Sequence, residues 1–489
     1  MGRRQVLVLA AGAAAMWGAG LVAVPGQADA RVTSTAVGMV KAAGSWGKAV
    51  GVPGLGALNK GGRAAVSSVT CGSAGNCSAG GFYTDGHAHQ QGFVINELNG
   101  RWGKAVGVPG LGALNKDGKA GVNSTSCGSA GNCSAGGFYT DGHGHQQGFV
   151  VTELHGRWGR AVEVPGLGAL NKGGIASVSS VSCPLAGTCV AGGSYNSGSG
   201  QRQAFVATRG HGHWQAAIAL PGMATLAAGQ TNEVLSVSCA KAGGCAAAGR
   251  YVDSESHQQG FVASEKNGVW GQAIEVPGLG LLNAGASAQV SSVSCGSPSS
   301  CSAGGDYRDN EGNSQGFVVD EKNGVWGQAI EAPGLAALNS NGDAGFSSMS
   351  CPAAGQCAAG GDYDYDYNWG FLIRENNGTW GQAINPPGLG SLAFGRFADV
   401  DSVSCASAGN CAAGGDYEDL GDSSVTRGFV INERNGVWGK AVQVPGLAAL
   451  EHDRYAFVVS VSCGSAGKCV AVGDYADGHG HQQGFLVGE

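Results

Sequence analysis

Sixteen cysteines fall in eight pairs, and in every pair the second follows the first by six positions. The pairs are Cys71 with Cys77, Cys127 with Cys133, Cys183 with Cys189, Cys239 with Cys245, Cys295 with Cys301, Cys351 with Cys357, Cys405 with Cys411 and Cys463 with Cys469. The first six advance by 56 residues, and the last two steps are 54 and 58. Eight tryptophans keep the same beat: Trp46, Trp102, Trp158, Trp214, Trp270, Trp326, Trp380 and Trp438. A period of this size implies a solenoid, a propeller or an array, each repeat being one supersecondary unit.

One unit reads as four strands. Gly121 to Cys127 is β-prone, and Cys133 to Tyr139 follows after a short turn. Gln147 to Leu154 alternates apolar and polar, and Trp158 to Val164 forms a fourth segment that Pro165-Gly166 ends. Asn-Gly joins the third and fourth segments at Asn99-Gly100, Asn267-Gly268, Asn323-Gly324, Asn377-Gly378 and Asn435-Gly436. Asn-Gly between short apolar runs is a strong hairpin signal. No segment carries a helical period of useful length. Four antiparallel strands repeated eight times predict an all-β, eight-bladed propeller. Residues 44 to 53 hold only a fourth segment, and the C-terminus stops after a third, so pairing of the two ends is expected to close the ring and remove its edges.

The spacing of Gly80-Gly81, Glu97, Asn99-Gly100, Trp102 and Pro109 resembles the kelch repeat. The cysteine pair departs from ordinary kelch units and is similar to the S-C-x5-C-x-A-G-G repeat of exported actinobacterial proteins. The resemblance covers nearly everything after residue 44 and implies fold and location, not activity.

Each cysteine pair brackets the tip of a first hairpin, where a disulfide fits if the strands are in register. The rival reading is metal. Zinc sites usually space cysteines by two to four residues and need four ligands, whereas each pair here stands without a local histidine. Disulfides suit export, as does the N-terminus. Arg3 and Arg4 precede an apolar run from Val6 to Val24, and Ala28-Asp29-Ala30 is a cleavage motif. The expected organisation is a signal peptide at 1–30, a short linker at 31–43 and a propeller at 44–489, secreted and without membrane after cleavage. A net charge of -7 argues against nucleic acid as a partner.

Disulfide hairpins and Asn-Gly turns share one face. The loops between second and third strands share the other, where sequence varies and function is expected. Blades one, two and eight, neighbours after closure, carry the same Asp-Gly-His-x-His-Gln-Gln loop. The candidate ligand-binding residues are Tyr83, Asp85, His87, His89 and Gln91; Tyr139, Asp141, His143, His145 and Gln147; and Tyr475, Asp477, His479, His481 and Gln483. Blades five to seven are acidic and aromatic instead, around Asp306, Asp362 to Trp369, and Asp416. His-x-His could hold a transition metal and the acidic loops calcium, but polar, solvated loops account for both, so no cofactor is expected. The tryptophans are expected to pack between blades.

No nucleophile or carboxylate pair stands out, and repeated similar sites suit a multivalent binder. The expectation is a monomeric, non-enzymatic, lectin-like propeller for extracellular glycans or cell-surface proteins. The alternatives are a protein-docking scaffold of a secreted assembly and a carbohydrate-active enzyme, a glycosidase or lyase.

Overall fold

In blade one, the strand Ala64–Ser73 pairs antiparallel with Asn76–Thr84, and Cys71 lies directly opposite Cys77. The third strand, Gln90–Leu98, follows in register. All eight blades repeat this order in the computed structural model, which describes residues 45–489 apart from 242–243, 341, 366–367, 394–396, 420–424 and 453–454. The expected signal peptide and linker lie outside the described residues. The molecule is an eight-bladed β-propeller of antiparallel blades.

Every cysteine is bonded to the one six residues away. Cys71 is joined to Cys77, Cys127 to Cys133, Cys183 to Cys189 and Cys239 to Cys245. Cys295 is joined to Cys301, Cys351 to Cys357, Cys405 to Cys411 and Cys463 to Cys469. The paired Cα atoms lie 3.9–4.1 Å apart, and no cysteine is left free, so the metal alternative falls. No described helix is long and apolar enough to cross a membrane.

The fourth segment differs from the continuous strand expected. It is two short pieces, Arg101–Trp102 and Val106–Gly107 in blade one, both paired with the third strand. The chain leaves the ladder between them because it bonds to the preceding connection. Ala105 N–H donates to Pro53 O at 2.7 Å, and the equivalent alanine of each blade does the same, from Ala161–Pro109 round to Ala49–Pro445. The Pro-Gly-Leu connection also contains a single helical turn, such as Leu55–Leu58, too short to show as a period. Its first leucine is buried between blades: Leu55, Leu111 and Leu167 are all at most 1% exposed.

The inner strands are joined by a ring of side chain to backbone bonds. Cys71 N–H donates to Ser462 Oγ, Cys127 to Thr70, Cys183 to Ser126, Cys239 to Ser182, Cys295 to Ser238, Cys351 to Ser294, Cys405 to Ser350 and Cys463 to Ser404. The hydroxyl residue before each first cysteine therefore satisfies the next blade's inner strand, whose outward N–H would otherwise lack a partner. The Gly-Gly of the second strand answers a bulge in the inner one: a Cβ on Gly81 would fall 1.9 Å from Ala65 O. Tryptophans wedge between blades, as Trp158 Nε1 to Asn96 Oδ1 and Trp326 Nε1 to Ser264 Oγ show.

Closure is as expected. Val50 and Gly51 pair with Leu486 and Phe485, and Gly47 N–H donates to Gly488 O. The N-terminal segment thus supplies the outer edge of blade eight.

Candidate functional site

The loops of blades one, two and eight are built alike. Asp85 Oδ1 accepts the backbone N–H groups of His87 (2.8 Å) and His89 (3.0 Å), and its Oδ2 accepts from the Gln91 amide (3.4 Å). Asp141 and Asp477 do the same for His143, His145 and Gln147, and for His479, His481 and Gln483. Partial burial pulls the other way, but these donors hold the three carboxyls below their usual range. The aspartates are turn-formers, as aspartate commonly is two residues ahead of a free N–H. Asp253 and Asp309 form the same turn in blades four and five, where no His-x-His is present.

The glutamines are likewise engaged. Gln91 Oε1 accepts from Asn115 of the next connection, Gln147 from Asn171, Gln259 from Asn283, Gln315 from Asn339 and Gln483 from Asn59. This clasp joins the blades at five junctions. At two others both members change: at the seventh junction Arg427 meets Glu451 at 2.9 Å, and at the sixth Trp369 packs with Ala393. At the third junction Ala227 replaces the asparagine, and Asn232 bonds Gln203 instead.

Tyr139 is only 3% exposed and its hydroxyl donates to Glu163, while Tyr83 and Tyr475 are half-buried. The groups that reach solvent are the imidazoles. His87 and His89 lie 6.1 Å apart between ring centroids, His143 and His145 6.1 Å, and His479 and His481 5.9 Å. They sit on a turn and not on a strand. The second imidazole of each pair covers a left-handed glycine of the next blade's connection, Gly118, Gly174 or Gly62, where a Cβ would fall within 2.7 Å of the ring. Among the described residues no group of three or more His, Cys, Asp or Glu side chains is arranged to hold a metal ion.

The acidic arc is not the set of solvated loops expected. Asp306, Asp362 and Asp416 end second strands, beside the starts of inner strands, and so lie half-buried at the channel mouth. Asp399 and Asp401 of blade seven and Asp474 of blade eight join them. A hydrogen bond links the carboxyls of Asp401 and Asp416. Burial, then the negative charges of Asp401 and Asp399, pushes Asp416 up to about 8. Burial and neighbouring aspartates raise Asp362 and Asp399 to about 7 and Asp401 to about 6. Asp474 reaches about 7 through burial, against the pull of Val66 N–H and Gln482. The loop pattern alone does not point to Asp399, Asp401 and Asp474 as members of this group. The signal for Asp474 was the recurring Gly-Asp-Tyr at 305–307, 361–363, 415–417 and 473–475.

No protein-family model matches the chain, and no curated protein matches it in sequence. Among solved structures it is similar to the β-propeller domain of the Trilobed protease from Pyrococcus furiosus, at 7% identity and a TM-score of 0.41, over 75% of this chain and 95% of that one. It is also similar to a PL25 polysaccharide lyase, an ulvan lyase, at 11% identity and a TM-score of 0.39, over 74% and 90%. A Hadza microbial sialidase is similar at 10% identity and a TM-score of 0.34, over 62% of this chain and 63% of that one, so the chain spans just under two thirds of the sialidase's length. These likenesses concern the propeller fold alone and bear on no residue of the site.

Proposed function

We propose that this chain is a secreted, kelch-like, multivalent binding propeller that recognises extracellular glycans through the arc of blades eight, one and two. One observation carries the reading: three adjacent blades hold the same loop in the same geometry, each presenting a solvent-exposed imidazole pair. Asp, Gln and Asn brace each loop from within, so little order remains to be imposed on binding. An imidazole both donates and accepts hydrogen bonds, which suits sugar hydroxyls. Three equivalent weak contacts on a rigid ring gain affinity for a polyvalent ligand without any new contact. The eight disulfides support an oxidising, extracellular destination.

The test is a glycan array followed by titration calorimetry of the wild type and the triple variant His87→Ala, His143→Ala, His479→Ala. Polyvalent glycan should bind the wild type, and the variant should lose at least tenfold with an unchanged melting temperature. No glycan hit, or a hit indifferent to the triple change, removes the function from this arc. Replacing Asp85, Asp141 and Asp477 is the poorer probe, because it dismantles the turns themselves.

A further inference from the structure

The junction between blades six and seven breaks the repeat at four aligned positions on the variable face. Trp369 stands where Gln91, Gln147, Gln259, Gln315 and Gln483 stand, and Ala393 replaces the partner asparagine. Asn385 takes the place of Glu163, Glu275 and Glu331, and accepts from Tyr363 at 2.7 Å where those glutamates accept from Tyr139, Tyr251 and Tyr307. Pro386 stands where Val276, Ala332 and Val444 donate N–H to Gly260, Gly316 and Gly428 at 2.9–3.0 Å. Proline has no N–H to give. The short outer strand therefore shrinks to a single bridge, Leu372 with Ile384.

The four changes act together. They remove a clasp, a ladder bond and a carboxylate, and they leave a cavity of about 330 Å³. Tyr365, 54% exposed, and Trp369 line it, with the Asn385 amide, the Tyr363 hydroxyl, Pro386 and Leu389. Trp369 is fixed from behind by the apolar cores of both blades. Local rules broken in concert at one place, and opening a cavity there, mark a functional site. The volume and the mix of apolar wall with few polar groups suit a small ligand.

We infer that this cavity binds one unit of a neutral saccharide. Among the described residues, the lining holds no charged side chain. Asp362 and Asp364 flank Tyr363 on an extended strand and so point to its other side. An organic cation or an anion would therefore meet no counter-charge from the described lining. A pyranose matches what is present: its C–H face lies against an aromatic ring, and its hydroxyls meet an amide and a phenol. The inference rests on reading the variable face as a glycan surface, but it uses none of the histidines of the other arc.

The experiment is saturation-transfer NMR and calorimetry on the full disulfide-bonded protein with cellotetraose, maltotetraose, mannotetraose and N,N′,N″-triacetylchitotriose. At least one should bind. Tyr365→Ala should weaken that binding tenfold or more. So should the double variant Trp369→Gln, Ala393→Asn, which fills the cavity's place with the clasp of the other blades and so keeps the fold. The triple histidine variant should bind these short probes like the wild type. If that variant loses them too, or if no neutral oligosaccharide binds, the inference falls. It falls equally if binding survives both pocket variants, or if choline chloride displaces the sugar. Polyvalent glycan binding that is absent, or indifferent to the triple histidine change, with these results intact would overturn the proposed function and leave the pocket standing.

Discussion

Asp416 should carry a proton at neutral pH, and replacing it with asparagine should flatten the protein's stability against pH. An unfolded aspartate titrates near 3.8, whereas Asp416 in the folded ring is pushed up to about 8. Between those values the folded chain binds a proton that the unfolded chain has released. Stability from this group is thus fullest below pH 3.8 and is lost as pH rises to about 8. A shift of roughly 4 units at about 1.36 kcal/mol each gives a ceiling of ~5.5 kcal/mol. The carboxyl is only half-buried, and Asp401 shares the titration, so about half of that, roughly 3 kcal/mol, is the reasonable expectation. An asparagine at this position would keep a hydrogen bond to Asp401 without titrating. Urea unfolding with disulfides intact, at pH 5 and pH 8.5, reads the effect. About 3 of the roughly 4 units lie above pH 5, so the wild type should lose roughly 2 kcal/mol more than Asp416→Asn across that interval. If both lose stability in parallel, Asp416 is ionised in the folded ring and the account of the channel mouth is wrong.

Other perturbations follow from the same contacts. Non-reducing peptide mapping should link each cysteine to the one six residues on; pairing between repeats would contradict the blade hairpins. Removing residues 45–53 should strip the outer edge from blade eight and lower the melting temperature far more than removing residues 31–43; equal melting would mean that the ends do not close the ring. Arg427→Gln alone should cost about 1–3 kcal/mol by stranding the partly buried Glu451 carboxylate, and Glu451→Asn alone should cost less, because Arg427 keeps Asp419 at 2.7 Å. The two together should recover most of it as a Gln–Asn clasp, and a double-mutant cycle without coupling would refute the pairing.

The architecture was legible because its determinants are written eight times: the cysteine step fixed the hairpin tips, Asn-Gly the third turn, and the mismatched ends the closure. The interrupted fourth strand was not legible, since it depends on Ala105 reaching Pro53 in the neighbouring blade, a contact no local pattern reports. The site was read less well for a related reason. Asp85 and Gln91 look like ligand groups in sequence, yet the fold engages both in bonds within and between blades. Asp474 lay hidden in a blade classed by its histidines, and its burial comes from the arrival of Val66 at the far end of the chain. Trp369 stood in plain view, but its meaning needed the partner position Ala393, which alignment by clasp and not by composition reveals.

The clasp also bears on how such a chain can be rearranged. Seven of the eight junctions lie within short stretches, as Gln91 with Asn115 or Arg427 with Glu451. A crossover that exchanges one repeat for another, cut outside that stretch, carries both halves of the joint together. Charge-for-amide or ring-for-amide swaps can therefore be inherited as a single cassette, without an intermediate that strands one half. The closing junction is different: Asn59 and Gln483 lie at opposite ends of the chain. No single exchange moves both, so the seam of the ring is the one place where the two halves must be held to match separately, and the interior junctions are where the ring is free to diversify.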